Sequence, residues 1–122
     1  MSMARDNSKY FFDGEKHCKR RLVLAVVKKY LHDNPNTTYD ELKRIFPDKL
    51  HPSLGVFQKK EDAGNKRRDP EERYFMKPEE LLVTGDGMKI CVCSQWGDTI
   101  ERHVEFIEHV KEKLKYEIEK AE

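Results

Sequence analysis

Residues 81–93, LLVTGDGMKICVC, place two apolar runs on either side of Gly85-Asp86-Gly87. Gly and Asp tolerate the positive φ that a tight reversal needs, so the stretch reads as a β-hairpin with strands at Leu81–Val83 and Met88–Cys93. Alternate residues of a strand face opposite sides, which puts Cys91 and Cys93 on one face and Ile90 and Val92 on the other. Both faces are apolar, so the second strand belongs in the middle of a sheet. Helical patterns lie on both flanks of this hairpin, and segregated helices with antiparallel strands make the α+β class.

Upstream, Leu22, Val23, Val26, Val27, Tyr30 and Leu31 recur at the spacing of one helical face, which predicts a helix over residues 15–33 that ends at Asn34-Pro35-Asn36. Lys16, Lys19, Arg20, Lys28 and Lys29 are expected on its outward side. Thr38 stands three residues before Glu41, a capping box in which each side chain satisfies a backbone N–H at the other. It opens a short second helix, Tyr39–Phe46, which Pro47 stops. Downstream, Asp98 or Thr99 caps an amphipathic helix over residues 100–114 with Ile100, Val104, Ile107, Val110 and Leu114 inward. Lys9–Phe12, before the turn pair Asp13-Gly14, reads as an edge strand or an apolar lead-in, and Ser53–Phe57 and Arg73–Met76 as short strands. Two N-terminal helices followed by a β-ribbon are compatible with a winged-helix-like arrangement.

One domain spanning residues 1–122 fits this length. Residues 1–8 are polar and expected to be disordered, and 59–72 reads as a mobile charged loop whose only apolar anchor is Ala63. Charged residues make up 39% of the chain against about 25% in ordinary globular proteins, so the surface is densely ionic. The 24 Lys and Arg almost balance the 23 Asp and Glu, but residues 1–68 carry a formal +7 and residues 69–122 a formal −6. That asymmetry predicts a basic face and an acidic face. No apolar run approaches the roughly 20 residues of a membrane span, and the N-terminus lacks the apolar segment of a secretory signal. A cytoplasmic protein without membrane contact is expected. The odd count of three cysteines fits a reducing compartment and free thiols.

Chemistry is sparsely signalled. Cys91-x-Cys93 lacks the second pair that a structural zinc site needs, and Cys18 has only His17 beside it, so buried thiols are the expectation and no metal or cofactor is assigned. No phosphate loop, nucleophile elbow or metalloprotease motif occurs, which points to a chain that binds rather than catalyses. The candidate nucleic-acid contacts are Lys16, Lys19, Arg20 and Arg21 on the first helix, Lys43 and Arg44 on the second, and Lys59, Lys60, Lys66, Arg67 and Arg68 in the loop. Gln95 and Trp96, at a strand-to-helix corner, either plug the core or form a recognition pair that stacks on a base or a partner's apolar side chain.

Residues 83–118, VTGDGMKICVCSQWGDTIERHVEFIEHVKEKLKYEI, resemble uncharacterised bacterial domains often attached to restriction or other defence proteins. The shared features are the D-G turn, an apolar strand ending in QWG, an amphipathic helix and a closing K-Y-x-I. The run RLVLAVVKKYLHDNPNTTYDELKRIFPDKLHPSLGV resembles the helical first half of such domains. The resemblance implies an accessory binding role and covers about two-thirds of the chain; the charged stretch after Gln58 falls outside it. The leading expectation is therefore a non-catalytic nucleic-acid-binding accessory module. A protein-interaction or self-associating module, as in a homodimer, is the alternative, and a metal-dependent hydrolase is a third class.

Overall fold

The computed structural model describes residues 9–51, 54–66, 73–96 and 102–121. In chain order the elements are β1 (Lys9–Phe12), β2 (Glu15–Cys18), α1 (Lys19–Asp33), α2 (Tyr39–Ile45), β3 (Phe57–Lys59), α3 (Lys60–Lys66), β4 (Leu82–Val83), β5 (Lys89–Val92), α4 (Arg102–Lys113) and β6 (Ile118–Ala121). Two antiparallel sheets and the helices between them make an α+β fold. Among the described residues no helix is long and apolar enough to cross a membrane.

The predicted hairpin is β4–β5, with Leu82 opposite Ile90 and Val83 opposite Lys89. Its turn is held by Thr84, whose backbone N–H donates to Met88 O at 3.0 Å and whose hydroxyl donates to Asp86. β5 is the central strand of the order β3-β5-β4, as its two apolar faces require. Tyr74 bridges Cys93 on the same side as β4, so the predicted strand at 73–76 contributes only that bridge.

Cys91 and Cys93 are fully buried, and burial pushes the Cys91 thiol up to about 12. A thiol reacts as its thiolate, so both should be inert in the native protein. Titration with an aromatic disulfide reagent should find one readily reacting group, the half-buried Cys18, and three after unfolding in denaturant. Two fast thiols in the folded protein would contradict this packing.

The first sheet departs from expectation. Asp13 (φ 52°) and Gly14 (φ 83°) form a two-residue turn with both residues left-handed, the geometry that matches strand twist, and it folds Glu15–Cys18 back on Lys9–Phe12. Residues 15–18 are therefore strand rather than the first turn of α1. β6 pairs with the other side of β1, from Lys9 opposite Ala121 to Phe12 opposite Ile118, so β1 is a central strand and not an edge. Tyr10 and Phe12 point into the core while Phe11 faces outward.

The charged stretch from residue 59 is likewise more ordered than its composition suggests up to Lys66. Ala63, the one apolar side chain there, is buried and anchors α3. Residues 67–72 of the expected loop, and the expected disordered residues 1–8, lie outside the described residues. One continuous core joins both sheets to α1, α2 and α4, with Trp96, Phe46, Phe57 and Phe106 its largest fully buried side chains. On α4 the inward stripe is His103, Phe106, Ile107 and Val110, with Val104 half-buried; Phe106 stacks on Phe46 at 6.0 Å between ring centres.

Candidate functional site

Helical periodicity sorts the side chains of α1. Leu22, Val23, Leu24, Val26, Val27 and Leu31 are buried, Leu24 with an edge of about 8% exposed, while Arg20, Arg21 and Lys28 are exposed and Ala25 and Lys29 half-buried. Arg21, Ala25, Lys28 and His32 line up at steps of four, three and four residues, one stripe on the side away from the core. The helix carries five Lys and Arg and a single carboxylate, Asp33, at its last residue.

The β1–β2 hairpin stands beside this stripe, and the two enclose a groove of about 400 Å³. Phe12, Leu24 and Ala25 contribute an apolar floor; Arg21, Lys28, Lys29 and His32 form the helix wall. Asp13, Glu15 and His17 form the hairpin wall. The Arg21 guanidinium is held from behind, 2.9 Å from the buried carboxylate of Glu80 and 4.9 Å from the centre of the Phe75 ring. Lys29 sits between Asp13 at 3.7 Å and Asp33 at 3.5 Å, so its charge is answered on both sides. Lys28, Arg20 and Lys16 pair with no described carboxylate; the Lys16 ammonium lies 5.5 Å over the Phe11 ring.

The other cations expected at an interface are distributed differently. Lys19 is only 5% exposed, because position 19 falls on the same stripe as Leu22, Val23 and Val26; it points inward and cannot meet a phosphate. Lys43 is committed inside the fold, its ammonium 2.6 Å from Asp48 Oδ1 and 2.6 Å from Phe57 O, and 4.5 Å over the Phe57 ring. Lys59 is half-buried with its ammonium 5.0 Å over Tyr39. That ring's hydroxyl is pushed up to about 12, by burial first and by Asp48 next. Arg44 and Lys60 are exposed. Arg67 and Arg68 lie outside the described residues, and of Lys66 only the backbone is described.

Among the described residues the basic set therefore does not converge on one patch. Arg20 and Arg21 are in the first turn of α1, whereas Lys43 and Lys59 gather around Tyr39, beyond its last turn, and a helix of 15 residues is about 22 Å long.

No family model, curated protein or solved structure matches this chain.

Trp96 as a recognition residue is corrected by its burial. Its ring has no exposed surface, its Nε1–H donates to Cys93 O at 2.7 Å, and it meets His51 edge-on at 4.9 Å and Phe106 at 5.4 Å. Gln95 is half-buried, with its carbonyl accepting from His51 Nε2 at 2.9 Å. His51 Nδ1 accepts from the Leu54 N–H at 3.3 Å, so the ring hydrogen belongs on Nε2 and both nitrogens serve the backbone. The QW corner is thus a core device, and Gly97 lies outside the described residues.

Sequence reasoning placed Lys28 and Lys29 outward but left them, with His17 and His32, out of the candidate interface. The available signal was their place on one helical stripe with Arg21. Cys91 and Cys93 are buried, and among the described residues no group of three or more His, Cys, Asp or Glu side chains is arranged to hold a metal.

Proposed function

We propose that this chain is a nucleic-acid-binding accessory module without catalysis of its own, and that its contact surface is the outward face of α1 with the adjoining β2. The observation that carries this reading is the set Lys16, Arg20, Arg21 and Lys28. They are exposed and lie along one helix and its preceding strand; α1 carries no carboxylate before Asp33, β2 carries Glu15 alone, and Glu80 engages one terminal nitrogen of Arg21. Cations of that kind exchange condensed counterions for phosphate contacts, which gives affinity without demanding a particular base sequence. The resemblance of residues 83–118 to domains attached to defence proteins suits a module of this sort. The interface is narrower than the full basic set of the front half, because Lys19 and Lys43 are used inside the fold.

Anisotropy titrations of labelled single-stranded and duplex DNA at 50 and 200 mM salt test the reading. Binding should weaken steeply with salt, and the double substitution Arg20→Glu, Lys28→Glu should lower affinity about tenfold or more at the lower salt and flatten the salt slope. Lys60→Glu, on α3, should change little. Absence of binding to either probe at 50 mM salt would overturn the proposal.

A further inference from the structure

The groove beside α1 narrows the class of nucleic acid. Building on the nucleic-acid reading above, we infer that it receives a single strand, with a base on Leu24 and Ala25 between phosphates held by Arg21 and Lys28. Arg21 and Lys28 are seven residues apart on one stripe, roughly 10 Å along the helix, and the apolar floor lies between them. Cation, apolar platform, cation is the order in which a splayed single strand offers phosphate, base and phosphate.

A duplex does not reach this floor. A helix with its side chains is about 10–12 Å across, which already fills a B-form major groove of about 12 Å. Here the hairpin wall of Asp13, Glu15 and His17 stands alongside the helix, so the pair is too wide to enter. The charges also set an orientation. Glu15 is exposed on the hairpin side and repels phosphate, and Asp13 is turned to Lys29, so the backbone runs along α1 with the base pointing toward the hairpin. Arg21 is ready to act, because Glu80 engages one of its terminal nitrogens and Phe75 packs against the guanidinium, leaving most of its five donors for a ligand.

The test is anisotropy with fluorescein-labelled dT12 and a 12-base-pair duplex at 50 mM salt, on the intact chain and on Ala25→Glu, Lys28→Ala and Glu15→Gln. The wild-type chain should prefer dT12. Ala25→Glu should weaken that binding more than tenfold, Lys28→Ala about threefold to tenfold, and Glu15→Gln should strengthen it about twofold to threefold. The gain in Glu15→Gln cannot come from misfolding, so it decides the matter if circular dichroism shows Ala25→Glu unfolded. Unchanged dT12 affinity in both Glu15→Gln and Lys28→Ala overturns the groove assignment. Preference for the duplex also overturns it while leaving the broader reading standing. If the wild-type chain binds neither probe, both fall.

Discussion

Trp96→Ala should remove about 3–5 kcal/mol of stability, the usual range for deleting a large aromatic from a packed core. A domain of this kind holds about 5–15 kcal/mol in total, so about a fifth or more of its stability rests on one ring. The ring fills the space between His51 and Phe106 and donates its indole hydrogen to Cys93 O, which ties the end of β5 to the start of the chain's passage into α4. The denaturant midpoint should fall accordingly at unchanged slope. Trp96→Phe should cost less, because it keeps most of the buried area and loses chiefly the hydrogen bond. A loss below about 1 kcal/mol for the alanine variant would contradict a core role and return the ring to the surface.

Gly85→Ala should be the most damaging small substitution, at about 1–3 kcal/mol. A Cβ at this position would run into the Asn36 carbonyl carbon and lie 2.6 Å from its oxygen, and both are backbone atoms that cannot swing aside as a side chain can. The closeness has a purpose. Gly85 N–H donates to Thr37 O at 2.6 Å and Asp86 Oδ1 accepts from Tyr39 N–H at 3.1 Å, so the hairpin turn clasps the elbow between α1 and α2. These bonds and the capping box hold the elbow: Thr38 N–H donates to Glu41 Oε1 at 2.9 Å, and the Glu41 carboxyl is lowered by its hydrogen bonds to Thr38. Thermal unfolding of Gly85→Ala should show the drop, and hydrogen exchange at Thr37 to Tyr39 should accelerate most. A variant as stable as the wild type would mean that the elbow and turn separate readily.

Those two elements also show what could be read from the chain in advance. The β4–β5 hairpin and the capping box are local devices, written within a few residues of one another, and both are present as expected. The Asp13-Gly14 turn is equally local, yet residues 15–18 read as helix because the strong apolar period that begins at Leu22 masks the point where strand gives way to helix. β6 carried almost no signal: with only Ile118 buried on its apolar side, its pairing is decided by β1, more than a hundred residues away. The candidate site follows the same division. Helical period places Lys28 outward as expected, but Lys19, expected outward with it, is buried, because at the N-terminal end of α1 the apolar arc reaches further round than the pattern from Leu22 onward suggests. The partners that engage Lys43 and Arg21, namely Asp48, Phe57, Glu80 and Phe75, are brought by other elements, and charge counted along the sequence does not reveal them.

The pairing of β1 with β6 also governs the timing of folding. While a ribosome has delivered only the residues up to Lys113, Phe12 and its neighbours have β2 on one side and a bare row of amides and carbonyls on the other. β6 completes the sheet that β1 forms with β2, a contact of very long sequence separation of the sort that slows folding. Until β6 docks, β1 keeps an unpaired strand edge, so the final consolidation of this sheet follows the synthesis of Ile118–Ala121.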